Sequence, residues 1–208
     1  MLRVAVLISG SGSNLRALLE AQPSYDHSFQ IVGVLSDLDA SGLEHAREYG
    51  VPTTIVPPRD YADRGSWGDA LVQAIEAYQP DLVVGAGFMR IIPPNAVAAL
   101  FPRLINTHPS LLPNFPGAHA VRDALAAGAS ETGVTVHVID EGVDTGPIIE
   151  QRSLPIADGE SEADLHERIK VIERSLLASV VDGIAVGRIN LAEIVAARSG
   201  AQPEGIDA

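Results

Sequence analysis

Short runs of apolar, mostly β-branched residues alternate with amphipathic stretches along the first half of the chain, the pattern of parallel strands joined by crossover helices. RVAVLIS (3–9) is apolar on both faces, as a strand covered on both sides should be. NLRALLEAQ (14–22) then reads as a helix with Leu15, Leu18 and Leu19 on one stripe. Further strands are predicted over IVGVLSD (31–37), PTTIV (52–56), DLVVGAG (81–87) and RLINTH (103–108). Helices are predicted between them over SGLEHAREYG (41–50), closed by Gly50, over SWGDALVQAIEAYQ (66–79), stopped before Pro80, and over PPNAVAALF (93–101).

The second half changes character. In TGVTVHVID (132–140) Val134, Val136 and Val138 alternate with Thr135 and His137, a strand with one more polar face. PIIEQRSLPI (147–156) is expected to return antiparallel to it, and residues 161–187 form a long amphipathic helix with a capping box from Ser161 to Asp164. The last stretch, ARSGAQPEGIDA (197–208), reads as frayed. The expected fold is α/β, an open and mostly parallel twisted sheet with helices on both faces and an antiparallel strand late in the chain.

A chain of 208 residues can bury one ordinary core without staples. Its 27 acidic against 14 basic residues, net charge −13, argue against nucleic-acid or polybasic membrane contacts. The absence of cysteine removes disulfides, thiolate metal sites and cysteine nucleophiles, and suits a reducing compartment. The N-terminal apolar run is too short for a membrane span and lacks a signal cleavage pattern, so a cytoplasmic protein is expected.

Three motifs carry candidate chemistry. SGSGSN (9–14) joins the first strand to the first helix, where glycines let backbone amides approach an anion. It matches neither the nucleoside-triphosphate loop nor the dinucleotide fingerprint, so a phosphate monoester fits better than either. The alternative is a plain turn capped by Ser13 or Asn14. In INTHP (105–109) the period of two points Asn106 and His108 to one face at a strand end, with Thr107 opposite and Pro109 holding His108 extended. An amide beside an imidazole suits stabilising oxygen charge and moving a proton. HVIDEGVDTGPII (137–149) adds carboxylates; Asp144, if it reaches His108, would fix the ring's tautomer and favour its charged form. Asp140, Glu141 and Asp144 lack the spacing of a calcium loop, and no histidine pair supports zinc, so no metal is expected.

INTHPSLLPNFPGAHA, GVTVHVIDEGVDTGPII and VAVLISGSGSNLRALL, in their order and spacing, resemble the formyltransferase family that uses 10-formyltetrahydrofolate. The likeness is greatest to the branch acting on 5-phosphoribosylglycinamide in purine synthesis, and runs from residue 3 to about 185. It implies a Rossmann-like domain over 1–187, with a nucleotide-binding first half and a folate-binding, catalytic second half, and an extension over 188–208. It implies catalytic Asn106, His108 and Asp144, a cis Leu112–Pro113 bond, and 10-formyltetrahydrofolate as the formyl donor. Gly12, Ser13, Asn14, Lys170 and Glu173 would hold the nucleotide. Arg64, Met89, Arg90, Ile91, Ile92, Asn106 and Asp140, Glu141, Gly142, Val143 and Asp144 would hold the folate. Without the resemblance, Met89 and Ile91 read as core, Arg64 as a solvated arginine, and Lys170 with Glu173 as a surface ion pair. His119 and His137 match polar family positions and are expected to support the loop.

The expected partners are small molecules, the chain acting as a monomer or homodimer. A methionyl-tRNA formyltransferase would carry a further domain and a basic surface, and a formyltetrahydrofolate hydrolase an N-terminal regulatory domain. A non-catalytic phosphometabolite-binding module would have no use for the Asn, His and Asp together. A dehydrogenase would need the missing third glycine and a ribose-binding role for Asp37.

Overall fold

The computed structural model describes residues 1–22 and 28–200. Among them seven strands form one sheet in the order β3-β2-β1-β4-β5-β6-β7. β1 (Leu2–Ile8), β2 (Phe29–Ser36), β3 (Thr53–Ile55), β4 (Leu82–Gly85) and β5 (Leu104–His108) run parallel. β6 (Glu131–Val138) is antiparallel to β5, and β7 (Ile148–Pro155) is antiparallel to β6. The late reversal expected from the pattern therefore lies at one edge of the sheet.

Strand periodicity sorts the core into two clusters. Val4, Val6 and Ile8 of β1, Ile105 of β5, and Val134, Val136 and Val138 of β6 pack with α1 (Ser13–Ala21), α2 (Leu43–Glu48) and α6 (Glu162–Ala185). Ala5, Leu7, Leu35, Val83 and Leu104 point the other way, toward α3 (Arg64–Glu76) and α4 (Pro94–Leu100). Burial on both sides is why β1 reads apolar throughout.

Several local differences from the sequence reading have clear causes. α3 starts at Arg64, before the predicted Ser66, because the Asp63 carboxylate accepts the Ser66 amide at 2.7 Å and the Ser66 hydroxyl accepts the Asp63 amide at 3.2 Å. The Ser66 amide first, and its side chain second, also hold the Asp63 carboxyl below its usual range. The box expected at Ser161 forms only in part. Its hydroxyl accepts the Asp164 amide, but the Asp164 carboxylate takes the hydroxyl proton instead of the backbone N–H of Ser161. The short helix α5 (Ala120–Ala126) was not foreseen, since seven residues with buried Ala120, Val121 and Ala124 give too brief a stripe. Residues 197–200 end a further helix, α7 (Leu191–Gly200), and do not fray; 201–208 lie outside the described residues.

The polar face of β6 is not open to water. Thr135 and His137 are both buried, Thr135 against the proline-rich run. The Thr135 hydroxyl donates to the Ser110 carbonyl at 2.7 Å and accepts from the Leu112 amide at 3.0 Å and Gln151 Nε2 at 2.8 Å. Gln151 also donates to the Leu112 carbonyl, and the Leu111 side chain lies where a Cβ on Gly133 would stand. The Leu112–Pro113 bond is cis, as the resemblance implies, and Phe101–Pro102 is cis too.

The chain leaves β1 toward β2 and β3, then crosses back to β4, so the order reverses between β1 and β4. Ligands in open α/β sheets bind outside the strand carboxyl ends at such a point. Here the two turns are tied together: the Ser9 amide donates to the Gly87 carbonyl at 3.1 Å, and the Met89 amide to the Ser9 hydroxyl at 2.8 Å.

Candidate active site

Asn106 and His108 leave the same face of β5, as expected, and both line a cavity of about 430 Å³. That volume suits a small organic ligand. The loop after β6 closes one wall with Asp140, Glu141, Gly142, Val143 and Asp144, and the turn after β4 closes another with Met89, Arg90, Ile91 and Ile92.

Asp144 reaches His108. Its Oδ2 lies 3.4 Å from His108 Nδ1 and accepts the Gly117 amide at 2.8 Å. Nε2 of His108 sits 2.9 Å from the Phe115 carbonyl, which can only accept, so that nitrogen carries a proton. Both ring nitrogens thus face acceptors. The proline-rich run supplies one of those acceptors, fixing the ring as well as the chain direction. Asp144 occupies the left-handed region at φ 53°, unusual for a residue with a Cβ, and Gly146 beside it has no room for a side chain against the Val138 carbonyl.

His137, which sequence reasoning left outside the catalytic set, joins the cluster and lines the same cavity. It pairs with Asn106 across the antiparallel register. Its Nδ1 lies 3.1 Å from the Val138 carbonyl, so Nδ1 is the donor and Nε2 of the neutral ring accepts the Asn106 amide nitrogen at 3.4 Å. Burial lowers the pKa of His137 below its ordinary value, opposed by the Val138 carbonyl and by Asp144, whose Oδ1 is 3.6 Å from Nε2. A neutral His137 therefore orients the Asn106 amide. The Asn106 oxygen lies 2.8 Å from where a Cβ on Gly85 would stand, so the neighbouring strand leaves room for that amide only as glycine. The signal in the sequence was the alternation on β6, but the register that sets His137 opposite Asn106 required the fold. His119 lines the cavity at the start of α5, and it makes none of these contacts.

The residues expected on the folate side separate into exposed and anchored sets. Met89 and Ile91 are 77% and 63% exposed, so the core assignment drawn from pattern alone fails, while Ile92 is buried. They are apolar because they face the cavity. Arg90 donates Nε to Oδ2 of the buried Asp37 at 2.6 Å, which gives Asp37 the task of an arginine anchor. Arg64 stands outside the cavity wall but donates to the Ile91 carbonyl at 3.0 Å, steadying that turn. The Asp140 carboxylate closes its own loop by accepting the Gly142 amide at 3.1 Å and the Thr145 hydroxyl at 2.7 Å.

At the glycine turn, Gly12 takes the N-cap position of α1 at φ 70° with no side-chain cap, so neither Ser13 nor Asn14 fills the plain capping role. Gly12 packs directly on Gly42; a Cβ there would come within 2.9 Å of its Cα. The first amides of α1 are left for an anion. Asn14 is buried with its Oδ1 unpartnered, an acceptor suited to a ligand hydroxyl. Lys170 and Glu173 do not pair with each other. Lys170 bonds Glu167 at 2.7 Å, holding that carboxyl below its usual range, and Glu173 accepts the Thr107 hydroxyl at 3.1 Å. Thr107 borders the cavity, so Glu173 lies just behind its wall; Lys170, Glu173 and the glycine turn are not among the cavity's lining residues.

Known proteins resemble this chain along most of its length. The model of the formyl transferase family matches residues 2–181. Phosphoribosylglycinamide formyltransferase of Mycobacterium tuberculosis is 48% identical over 183 residues, covering 88% of this chain and 85% of that protein. The Escherichia coli K12 enzyme of the same name is 39% identical over 193 residues, 92% of this chain and 91% of its own. The crystal structure of glycinamide ribonucleotide transformylase 1 from Symbiobacterium toebii superposes with a TM-score of 0.87 at 41% identity, covering 90% of this chain and 89% of that one.

Proposed function

The chain belongs to the formyl transferase family, and from that premise we propose how its side chains move the formyl group of 10-formyltetrahydrofolate to the primary amine of 5-phosphoribosylglycinamide in purine biosynthesis. The reading of the site rests on one observation, the convergence of Asn106, His108 and Asp144 on a single cavity, with Asp144 Oδ2 at 3.4 Å from His108 Nδ1.

The nucleotide's phosphate lies at the amides of Gly12, Ser13 and Asn14, with Lys170 and Glu173 beside the ribose. The folate ring rests against Met89, Arg90, Ile91 and Ile92 and the backbone of Asp140, Glu141, Gly142, Val143 and Asp144, with its tail directed toward Arg64. The amine nitrogen attacks the formyl carbon, forming a C–N bond and a tetrahedral oxyanion. One Asn106 amide hydrogen is engaged by His137, and the other donates to that oxygen. The His108 Nε2–H, shared with the Phe115 carbonyl, supplies the second donor. Preorganised donors of this kind commonly contribute about 100- to 1,000-fold each. His108 then gives a ring proton to the departing folate nitrogen as the bond to the formyl carbon breaks, and takes up the proton that the amine nitrogen releases. Asp144 orients the imidazole and faces the charge it carries before and after that exchange. Holding both substrates in one cleft lowers the entropic barrier further.

Residues 1–187 are read as one catalytic unit and 188–208 as its extension. The acidic surface disfavours nucleic acid, and no described helix is long and apolar enough to cross a membrane; a cytoplasmic location fits the purine pathway. The test is to mix the protein with 10-formyltetrahydrofolate, with and without phosphoribosylglycinamide. Formyl loss only with the nucleotide is the expected result. Loss at the same rate without it would make the protein a hydrolase, and binding without loss a non-catalytic module.

A further inference from the structure

The loop that carries Asp144 is a wall with two sides. Val143 and Asp144 line the catalytic cavity and also a second cavity of about 440 Å³ behind it, bounded by Leu112, Pro113, Ile148 and the α7 residues Ile194 and Arg198. Arg198 Nη1 lies 3.6 Å from Asp140 Oδ2, while Asp140 Oδ1 holds the Gly142 amide and the Thr145 hydroxyl. One carboxylate therefore ties the loop to itself through one oxygen and to α7 through the other. The family match ends at residue 181 and α7 begins at Leu191, so the brace comes from outside the shared segment while the loop lies well inside it.

We propose that Arg198 is a positioning residue: acting through Asp140, it holds the 140–146 loop in the form that receives the formyl donor. The loop needs holding, because Asp144 sits in the left-handed region and the second cavity leaves that side of the wall without packed support. Side-chain exposures of 49% for Arg198 and 29% for Asp140 make the pair salt-sensitive and modest in strength. Its effect belongs in donor affinity, not in the stability of the whole chain. The inference rests on the reading of 140–144 as the donor's wall, and the experiment separates the two.

Amide hydrogen exchange across 140–146, with and without a folate analogue, is measured in the wild type, Arg198→Ala and Arg198→Lys, together with KM for each substrate. The Ala variant should exchange faster in this loop and show donor KM raised about two- to fivefold, the scale of a half-exposed ion pair. Its KM for the nucleotide should be unchanged, and Lys should restore part of the loss. Donor KM in the wild type should rise with salt, a dependence that Arg198→Ala lacks. A purely structural role would lower Tm and leave both KM values and the salt response alone. Loop exchange and donor KM identical in all three proteins would overturn the proposal, as would the absence of that salt response should the variants fail to fold. If folate fails to protect 140–146 even in the wild type, the donor-wall reading fails instead.

Discussion

In the proline-rich run from Pro109 to Gly117, the Leu112 amide, the Ser110 carbonyl and the Phe115 carbonyl all have partners from β5 to β7. In the turn from Ser9 to Asn14 the helix starts without a side-chain cap and the buried Asn14 Oδ1 has no partner. The two segments follow β5 and β1, the strands on either side of β4, and only in the first are the named groups satisfied without a ligand. The contrast follows from what the proposed function asks of each. Groups that meet a transient charge must already be oriented when it forms, because any reorganisation adds to the barrier. Groups that bind a stable phosphate and sugar are better left unpaired, since the ligand then supplies their missing bonds.

That contrast can be broken from either side. The largest effect is expected at Asp144, the proposed catalytic carboxylate. Asp144→Asn should lower kcat by at least about 100-fold, the scale of one acid–base or oxyanion contribution. Calorimetric affinities for both substrates should stay near those of the wild type. Unchanged turnover would remove Asp144 from the chemistry. Next comes the scaffold: Thr135→Val deprives the Leu112 amide, the Ser110 carbonyl and Gln151 Nε2 of a shared partner. One or two buried groups left unsatisfied should cost about 2–3 kcal/mol in denaturant unfolding. Turnover should fall with stability, because the same run holds His108.

At the glycine turn the response should invert. Asn14→Ala should raise KM for the nucleotide about tenfold, roughly one lost hydrogen bond to a ligand, with kcat and Tm little altered. A large drop in Tm would mean that Asn14 belongs to the scaffold after all.

The smallest effect is one of pH. His137 is buried in its neutral form, with a pKa lowered chiefly by desolvation. The unfolded chain therefore binds this proton more readily than the folded one. The folded state keeps its full stability above about pH 6.5, where an ordinary histidine titrates, and loses it progressively as pH falls toward the depressed value. Denaturant unfolding between pH 7.5 and 5 should show that decline in the wild type and a shallower one in His137→Gln. Parallel curves would assign the acid sensitivity to other groups.

The legible parts of the site were those fixed by local geometry. A period of two was enough to place Asn106 and His108 on one face of β5, and a glycine-rich strand-to-helix turn announced its open amides. Pairings across the sheet were not legible, because nothing local in the sequence sets the register that brings His137 opposite Asn106. Met89 and Ile91 misled for a different reason. An apolar side chain facing a ligand and one facing the core look alike in sequence, and only their exposure separates them. Long polar side chains were ambiguous too: the helical spacing of Lys170 and Glu173 was real, but Lys170 reaches back to Glu167 and Glu173 reaches Thr107. Helices as short as α5 carry too few turns for a stripe to stand out.

A crystal structure with phosphoribosylglycinamide and a non-reactive formyl-folate analogue bound together tests direct transfer most directly. The expected arrangement puts the formyl oxygen within about 3.2 Å of both Asn106 Nδ2 and a ring nitrogen of His108, with the amine on the open side of the carbon. A formyl group turned away from Asn106 and His108, with both ligands in place, would contradict it.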